Sequence, residues 1–194
     1  MKFIQKYIKS LNYINDTLDI VEINLFIKSL KKIKKNKGRL FILGVGGSAG
    51  NSSHAVNDFR KLCEIEAYSP TDNVSEITAR TNDEGFENIF SEYLRVSNFN
   101  KNDGILIFSV GGGNKSKKVS INLIKAINFV KQKKGKVFSI IGRNDGYAAL
   151  NSDFKIIIST NQKKLLTPLS ESYQSIIWHL IVSHPDLQVN KTKW

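Results

Sequence analysis

His54 and Asp58 stand four residues apart in the stretch Phe41-Ile-Leu-Gly-Val-Gly-Gly-Ser48-Ala-Gly-Asn-Ser-Ser-His54-Ala-Val-Asn-Asp58. On a helix that spacing places both on one face. An imidazole and a carboxylate so placed can share a proton transfer or hold a divalent ion, and a plain surface ion pair is the alternative. The glycine turn Gly44-Val45-Gly46-Gly47-Ser48 precedes them. Free N–H groups at such a turn, where a helix starts, suit an anion. Its spacing is not the dinucleotide fingerprint, and it lacks the lysine of a nucleotide-binding P-loop. A second turn, Ser109-Val110-Gly111-Gly-Gly-Asn-Lys-Ser116, offers hydroxyls and backbone amides that can hold a phosphate. Farther on stand Glu171 and His179. At about 1.5 Å of rise per residue they are roughly 12 Å apart on a straight helix, so both cannot reach one small ion from a single subunit unless the helix is distorted. A site at a subunit interface is one way to use both. His184 is given no role, Trp178 reads as packing, and Cys63 reads as a buried thiol with no base nearby in sequence.

These residues need elements to position them. Apolar residues at helical spacing run from Phe3 to Ile33 and predict one or two amphipathic helices over residues 3–36, with Asn15-Asp16 as the break and cap. Arg39–Leu43 is a strand, and a helix follows to about Leu62. Residues 64–80 read as a loop with a short strand and a turn at Pro70–Asn73. A helix is expected over Phe86–Val96, a buried strand over Ile105–Ser109, and a helix over about 117–133. Val137–Ile141 and Phe154–Ile158 are further strands. Thr167-Pro168 should cap and open a last helix running to about Ser183. Strands that alternate with helices and read as continuous apolar runs predict an α/β fold, a parallel sheet with helices on both faces. Ligands bind such sheets at the C-terminal ends of the strands, where the glycine turns lie.

The 194 residues suffice for one domain with a core. One cysteine excludes an internal disulfide and fits a reducing cytoplasm. No apolar run reaches membrane-spanning length, and the basic start of the chain does not read as a signal peptide. The net charge is +12. Lysines cluster at 31–35, 115–118 and 131–134, two of these where helices should end, without interleaved aromatics. We read this as a lysine-rich composition that helps an anionic substrate arrive, not as a nucleic-acid surface.

Taken together, Gly46-Gly47-Ser48 with His54 and Asp58, then Thr71-Asp72, Thr78-Ala79 and Asn82-Asp83-Glu-Gly85, the Ser109 turn, and Glu171 with His179 resemble the sugar isomerase (SIS) domain of phosphoheptose isomerases. The resemblance spans about residues 3–185. It implies a three-layer α/β sandwich in a single domain over 1–194. Residues 1–36 would form helices that help build a homotetramer, and 37–185 the α/β core. It implies conversion of sedoheptulose 7-phosphate to D-glycero-D-manno-heptose 7-phosphate through an enediol, for surface polysaccharide. Asp58 and His179 would do the acid/base work. His54, Asp58, Glu171 and His179 would hold Zn²⁺ or another divalent ion. Val45, Gly46, Gly47, Ser48, Asp72 or its rival Asn73, Ser109, Val110, Gly111, Ser116 and Glu171 would contact the substrate. The chain departs from the family in five places: Val45 replaces an asparagine, Asp58 a glutamate and Glu171 a glutamine, one residue is inserted before Ser75, and the second turn lacks the usual serines and threonines and carries several extra residues before the next helix. Those departures leave two alternatives open, an isomerase of another sugar phosphate and a non-catalytic adaptor that binds the replication initiator.

Overall fold

A computed structural model describes residues 1–193. Two helices open it, α1 (Lys2–Thr17) and α2 (Ile20–Lys35). The break between them falls at Leu18-Asp19. Asn15 and Asp16 lie inside α1, and Asp19 is the cap, accepting hydrogen bonds from the amides of Val21 and Glu22. Lys32, Lys34 and Lys35 in the last turn of α2 complement its dipole. Then come β1 (Leu40–Leu43), α3 (Gly47–Cys63) and β2 (Ala67–Tyr68). They are followed by α4 (Val74–Glu84), α5 (Ile89–Val96), β3 (Gly104–Ser109) and α6 (Ile121–Gln132). The chain closes with β4 (Lys136–Ile141), α7 (Tyr147–Asn151), β5 (Phe154–Ile157) and α8 (Leu166–Val182).

The five strands form one parallel sheet in the order β2-β1-β3-β4-β5. Side chains alternate between its faces. Leu40, Ile42, Leu106, Phe108, Phe138 and Ile140 meet α2, α3 and α8 on one side. Phe41, Leu43, Ile105, Ile107, Val137 and Ile141 meet α5, α6 and α7 on the other. The three-layer α/β sandwich is therefore as expected. α2 belongs to one of those layers, with Phe26 set edge-on against Phe138 at 4.9 Å. Much of the apolar face of α1 is open to solvent, including Phe3, Ile4 and Ile8.

Several local expectations need correction. Residues 74–84 are helical, not loop. Asn73 caps α4, which buries none of its residues and so carries no core-facing stripe to reveal it. The helix expected from Phe86 starts at Ile89, and α7 was not foreseen. The helix expected from 117 starts at Ile121, because residues 114–119 close on themselves through an Asn114–Val119 bridge, with Lys118 and Ser120 in the left-handed region. Thr167 does not cap the last helix. A 3₁₀ turn at Lys163–Leu165 runs straight into α8, so Pro168 lies within the first turn, where its missing N–H is no loss.

The sheet order is that of a doubly wound fold. The chain leaves β1 for β2 on one side and then crosses to β3 on the other, so the crevice between the C-terminal ends of β1 and β3 is the switch point where ligands bind.

Candidate active site

The first turn is shaped by backbone contact. A Cβ at Gly44 would sit 2.2 Å from the Ser48 carbonyl, and Gly46 adopts φ +66°, so both positions favour glycine. α3 then begins without a side-chain cap. Glu171, on the first turns of α8, places its carboxylate against this helix start, 2.7 Å from where a Cβ on Gly47 would be. A carboxylate is favourable at the positive end of a helix. The anion cradle expected at Gly46-Gly47-Ser48 thus faces an anion of the protein itself.

Two and three turns into α3, His54 and Asp58 face α8. Asp58 is only 7 % exposed. Its Oδ2 lies 3.5 Å from His54 Nε2 and 3.4 Å from His179 Nε2, and accepts a 2.9 Å hydrogen bond from the buried Trp178 indole. Asn57 donates to Oδ1 at 3.1 Å. His179 Nδ1 is 2.8 Å from the Ser175 carbonyl, which can only accept, so Nδ1 carries the hydrogen and Nε2 is presented to Asp58. The imidazole–carboxylate distances exceed a good N–H···O hydrogen bond. They fit ligand atoms around a common centre, since ligands bound tetrahedrally at about 2.0–2.1 Å are about 3.3–3.4 Å apart. One ligand atom from each of the three residues lies within 4.8 Å of the others. The residues thus fit a divalent ion of the zinc type, with two imidazoles, a carboxylate and a second-sphere backbone carbonyl on His179.

One chain therefore brings His54, Asp58 and His179 together without help from a neighbour. Glu171 does not join them, as the helical rise required. Its carbonyl oxygen accepts from Asn51, which also donates to Gln174 at 2.8 Å. Of the two rivals, Asn73 is spent as the cap of α4, whereas Asp72 hydrogen-bonds Ser53, the neighbour of His54 on α3. In the second turn Ser109 accepts the Gly112 amide at 3.0 Å, Val110 gives its carbonyl to Gly142, Gly111 borders open space, and the exposed Ser116 donates to Asn114. Those hydroxyls brace the loop itself. A cavity of about 680 Å³ opens instead between Val45 and the start of α6, at the switch point, with Lys115, Lys118, Lys125 and Asn122 in its wall. Trp178, Lys118 and Asn122 were not singled out as site residues from sequence. Asp58 shows why Trp178 matters, but nothing in the local sequence pairs an indole with a residue 120 positions away. Cys63 is buried among apolar groups, which pushes its thiol up to about 11 and takes it out of the chemistry.

A doubly wound five-stranded sheet with a switch-point cavity, and a His–Asp–His cluster between α3 and α8, define a sugar isomerase domain. No protein-family model matches the chain. It is 30 % identical over 151 residues to phosphoheptose isomerase of Buchnera aphidicola, covering 76 % of this chain and 74 % of that protein, and it belongs to the phosphoheptose isomerase family of isomerases. It is also 30 % identical over 154 residues to a lincomycin biosynthesis protein of Streptomyces lincolnensis, matching 76 % of this chain but only 56 % of that protein's length. The structure of phosphoheptose isomerase from Neisseria gonorrhoeae superposes with a TM-score of 0.79 at 21 % identity, over 93 % of this chain and 94 % of that one, and shares the fold.

Proposed function

We propose that the protein converts sedoheptulose 7-phosphate to D-glycero-D-manno-heptose 7-phosphate, in the cytoplasm, for heptose-containing surface polysaccharide. The observation that carries this reading is the convergence of His54 and His179 on Asp58 within a phosphoheptose isomerase family member. The reaction removes a proton from C1 of the ketose. The C–H electron pair becomes the C1=C2 bond, and the C2 carbonyl oxygen takes a proton. The enediol then collapses, with the C1 hydroxyl losing its proton to give the aldehyde while C2 is protonated. Asp58 is the base for the carbon-bound proton. It is held by Trp178 and Asn57, so its free lone pairs have a fixed direction. His179, oriented through Ser175, exchanges the oxygen-bound proton. His54, Asp58 and His179 would alternatively hold Zn²⁺ or another divalent ion, with Glu171 outside that set; His179 Nε2 would then be a ligand, the ion would supply the polarisation of the substrate oxygens in its place, and Asp58 would act through its other carboxylate oxygen.

The whole chain acts as one SIS domain. The open apolar residues Phe3, Ile4 and Ile8 on α1 and Ile20 and Val21 on α2 support a homotetramer, which light scattering reads directly. Conversion of sedoheptulose 7-phosphate, followed by NMR, tests the reaction. Asp58→Asn should lower kcat by about 10²–10⁴, the usual contribution of a positioned base. Turnover by Asp58→Asn at the wild-type rate would overturn the role given to Asp58, and absence of turnover by the folded wild type would overturn the substrate.

A further inference from the structure

We propose that residues 184–190, the segment that follows α8, act as a clamp that sets the spacing of α3 and α8 and so holds Asp58 in register with Trp178 and His179. Val189 and Asn190 are then positioning residues for the acid/base cluster. The proposal rests on the isomerase reading above only for the kinetic arm of its test.

The end of α3 shows the need. The last four carbonyls of a helix have no partner within it. At α3 a left-handed Glu64 turns the chain, so that the Glu64 amide donates to the Arg60 carbonyl and the Ile65 amide to the Phe59 carbonyl. The carbonyls of Lys61 and Leu62 still need donors, and the segment after α8 supplies them. The backbone amides of Val189 and Asn190 both donate to the Leu62 carbonyl, at 2.8 and 3.1 Å. The Asn190 side-chain amide donates to the Lys61 carbonyl at 3.0 Å. The segment is anchored in turn. Leu187 is 1 % exposed, in the core that also holds Leu62, Cys63, Ile181 and Val182. The His184 carbonyl accepts from the amides of Leu187 and Gln188, and Lys31 reaches Asp186 from α2 at 3.0 Å.

The clamp lies close to the chemistry. Leu62 stands one turn beyond Asp58, on the same face of α3. Asp58 crosses to α8 through the Trp178 indole at 2.9 Å and faces His179 at 3.4 Å. Toward the start of α3, Asn51 ties the same two helices through the Glu171 carbonyl and Gln174. The cluster is therefore held between two ties. An aspartate has a single methylene, so its carboxylate cannot follow a helix that shifts, and a misplacement of about 1 Å costs roughly 10²-fold in rate. Val189 and Asn190 are themselves exposed, so their hydrogen bonds can open without opening the core.

Hydrogen exchange in the full-length protein, read by NMR at the Trp178 indole N–H and at the amides of β3, tests the clamp. Val189→Pro removes one donor to the Leu62 carbonyl, whereas Val189→Ala keeps that donor and trims only an exposed side chain. Asn190→Ala, which leaves the backbone free, removes the donor to the Lys61 carbonyl and is the second variant. The expected result is indole exchange about tenfold faster in Val189→Pro and Asn190→Ala, with the β3 amides unchanged and Val189→Ala like the wild type. In the same two variants kcat for sedoheptulose 7-phosphate should fall about tenfold, with KM within about twofold. Indole exchange at the wild-type rate in both variants overturns the clamp. So does an equal acceleration of the β3 amides, which marks a global loss of stability. Faster indole exchange with unchanged kcat overturns the positioning role. Faster indole exchange in the two variants, when no protein including the wild type converts the sugar, leaves the clamp standing and removes the substrate assignment.

Discussion

Replacing Trp178 with Phe asks whether the buried indole holds the base or merely fills space. Trp178 is 1 % exposed and its Nε1 donates to Asp58 Oδ2 at 2.9 Å. Its ring packs 5.6 Å from Phe108, 4.9 Å from His179 and 5.3 Å from His54. Phe keeps an aromatic ring there and removes the donor. A hydrogen bond to a charged group contributes about 1.5–3 kcal/mol. The void left by the smaller ring costs about 1 kcal/mol more. Urea unfolding should therefore show a loss of about 2.5–4 kcal/mol. Activity should fall further than stability requires. Asp58 loses one of its two hydrogen-bond donors, and misplacing a reacting group by about 1 Å costs roughly 10²-fold. The expected result at 25 °C, where the variant remains folded, is a kcat lowered about 10–100-fold with KM within twofold of wild type. Phe26→Leu, in the same core with its ring against Phe138, serves as the control. It should lose stability and keep kcat. A folded Trp178→Phe protein with wild-type kcat, or a Phe26→Leu protein that loses kcat equally, would refute the positioning argument.

Zn²⁺ added to metal-stripped protein should raise Tm, as expected of a ligand that binds only the folded state, and His54→Ala should abolish that rise; an identical shift in His54→Ala would place the ion elsewhere. Gly50 lies on the exposed side of α3 between the glycine turn and His54, and a Cβ there would meet nothing within 4 Å. Gly50→Leu should hold or raise Tm, since glycine costs a helix about 1 kcal/mol, while lowering kcat/KM at least tenfold by obstructing the path between cavity and cluster. Unchanged kcat/KM would mean that the sugar runs elsewhere. The Cys63 thiol ionises near 9 when free and near 11 in the fold because of burial, so the folded state retains the proton longer. Its contribution is fully present below pH about 9 and is lost as pH rises toward 11, and thiol labelling at pH 7.5 should be slow until the protein is unfolded.

What could be read from the residues follows from what each signal depends on. The central strands and their helices are long, apolar runs bounded by glycine, and both faces of the sheet are covered, so period and punctuation agreed. α4 escaped because it buries no residue and is held by the Asn73 cap and the Arg80 pairs with Glu76 and Glu84, which leave no apolar stripe. The start of α6 was misplaced because two non-glycine residues, Lys118 and Ser120, adopt left-handed backbone that sequence does not announce. At the site, the His54–Asp58 pair follows from helical spacing, and His179 joined it through family resemblance. The Trp178 bond, the Glu171 contact with Gly47 and the unpaired Asn122 amide each depend on tertiary contact or burial, and so had no local signature.

The geometry of α3 ties the two ends of the reaction together. Val45, just before the helix, lines the cavity, and His54 lies seven residues beyond Gly47, about 10 Å farther along the axis. Gly46, Gly47, Gly50 and Ser53 leave the intervening surface exposed and low. The cluster can therefore be reached along α3 from the cavity side without crossing a large side chain of that helix. Glu171 places a carboxylate at the start of α3, where it complements the positive end of the helix and occupies the place an external anion would otherwise take.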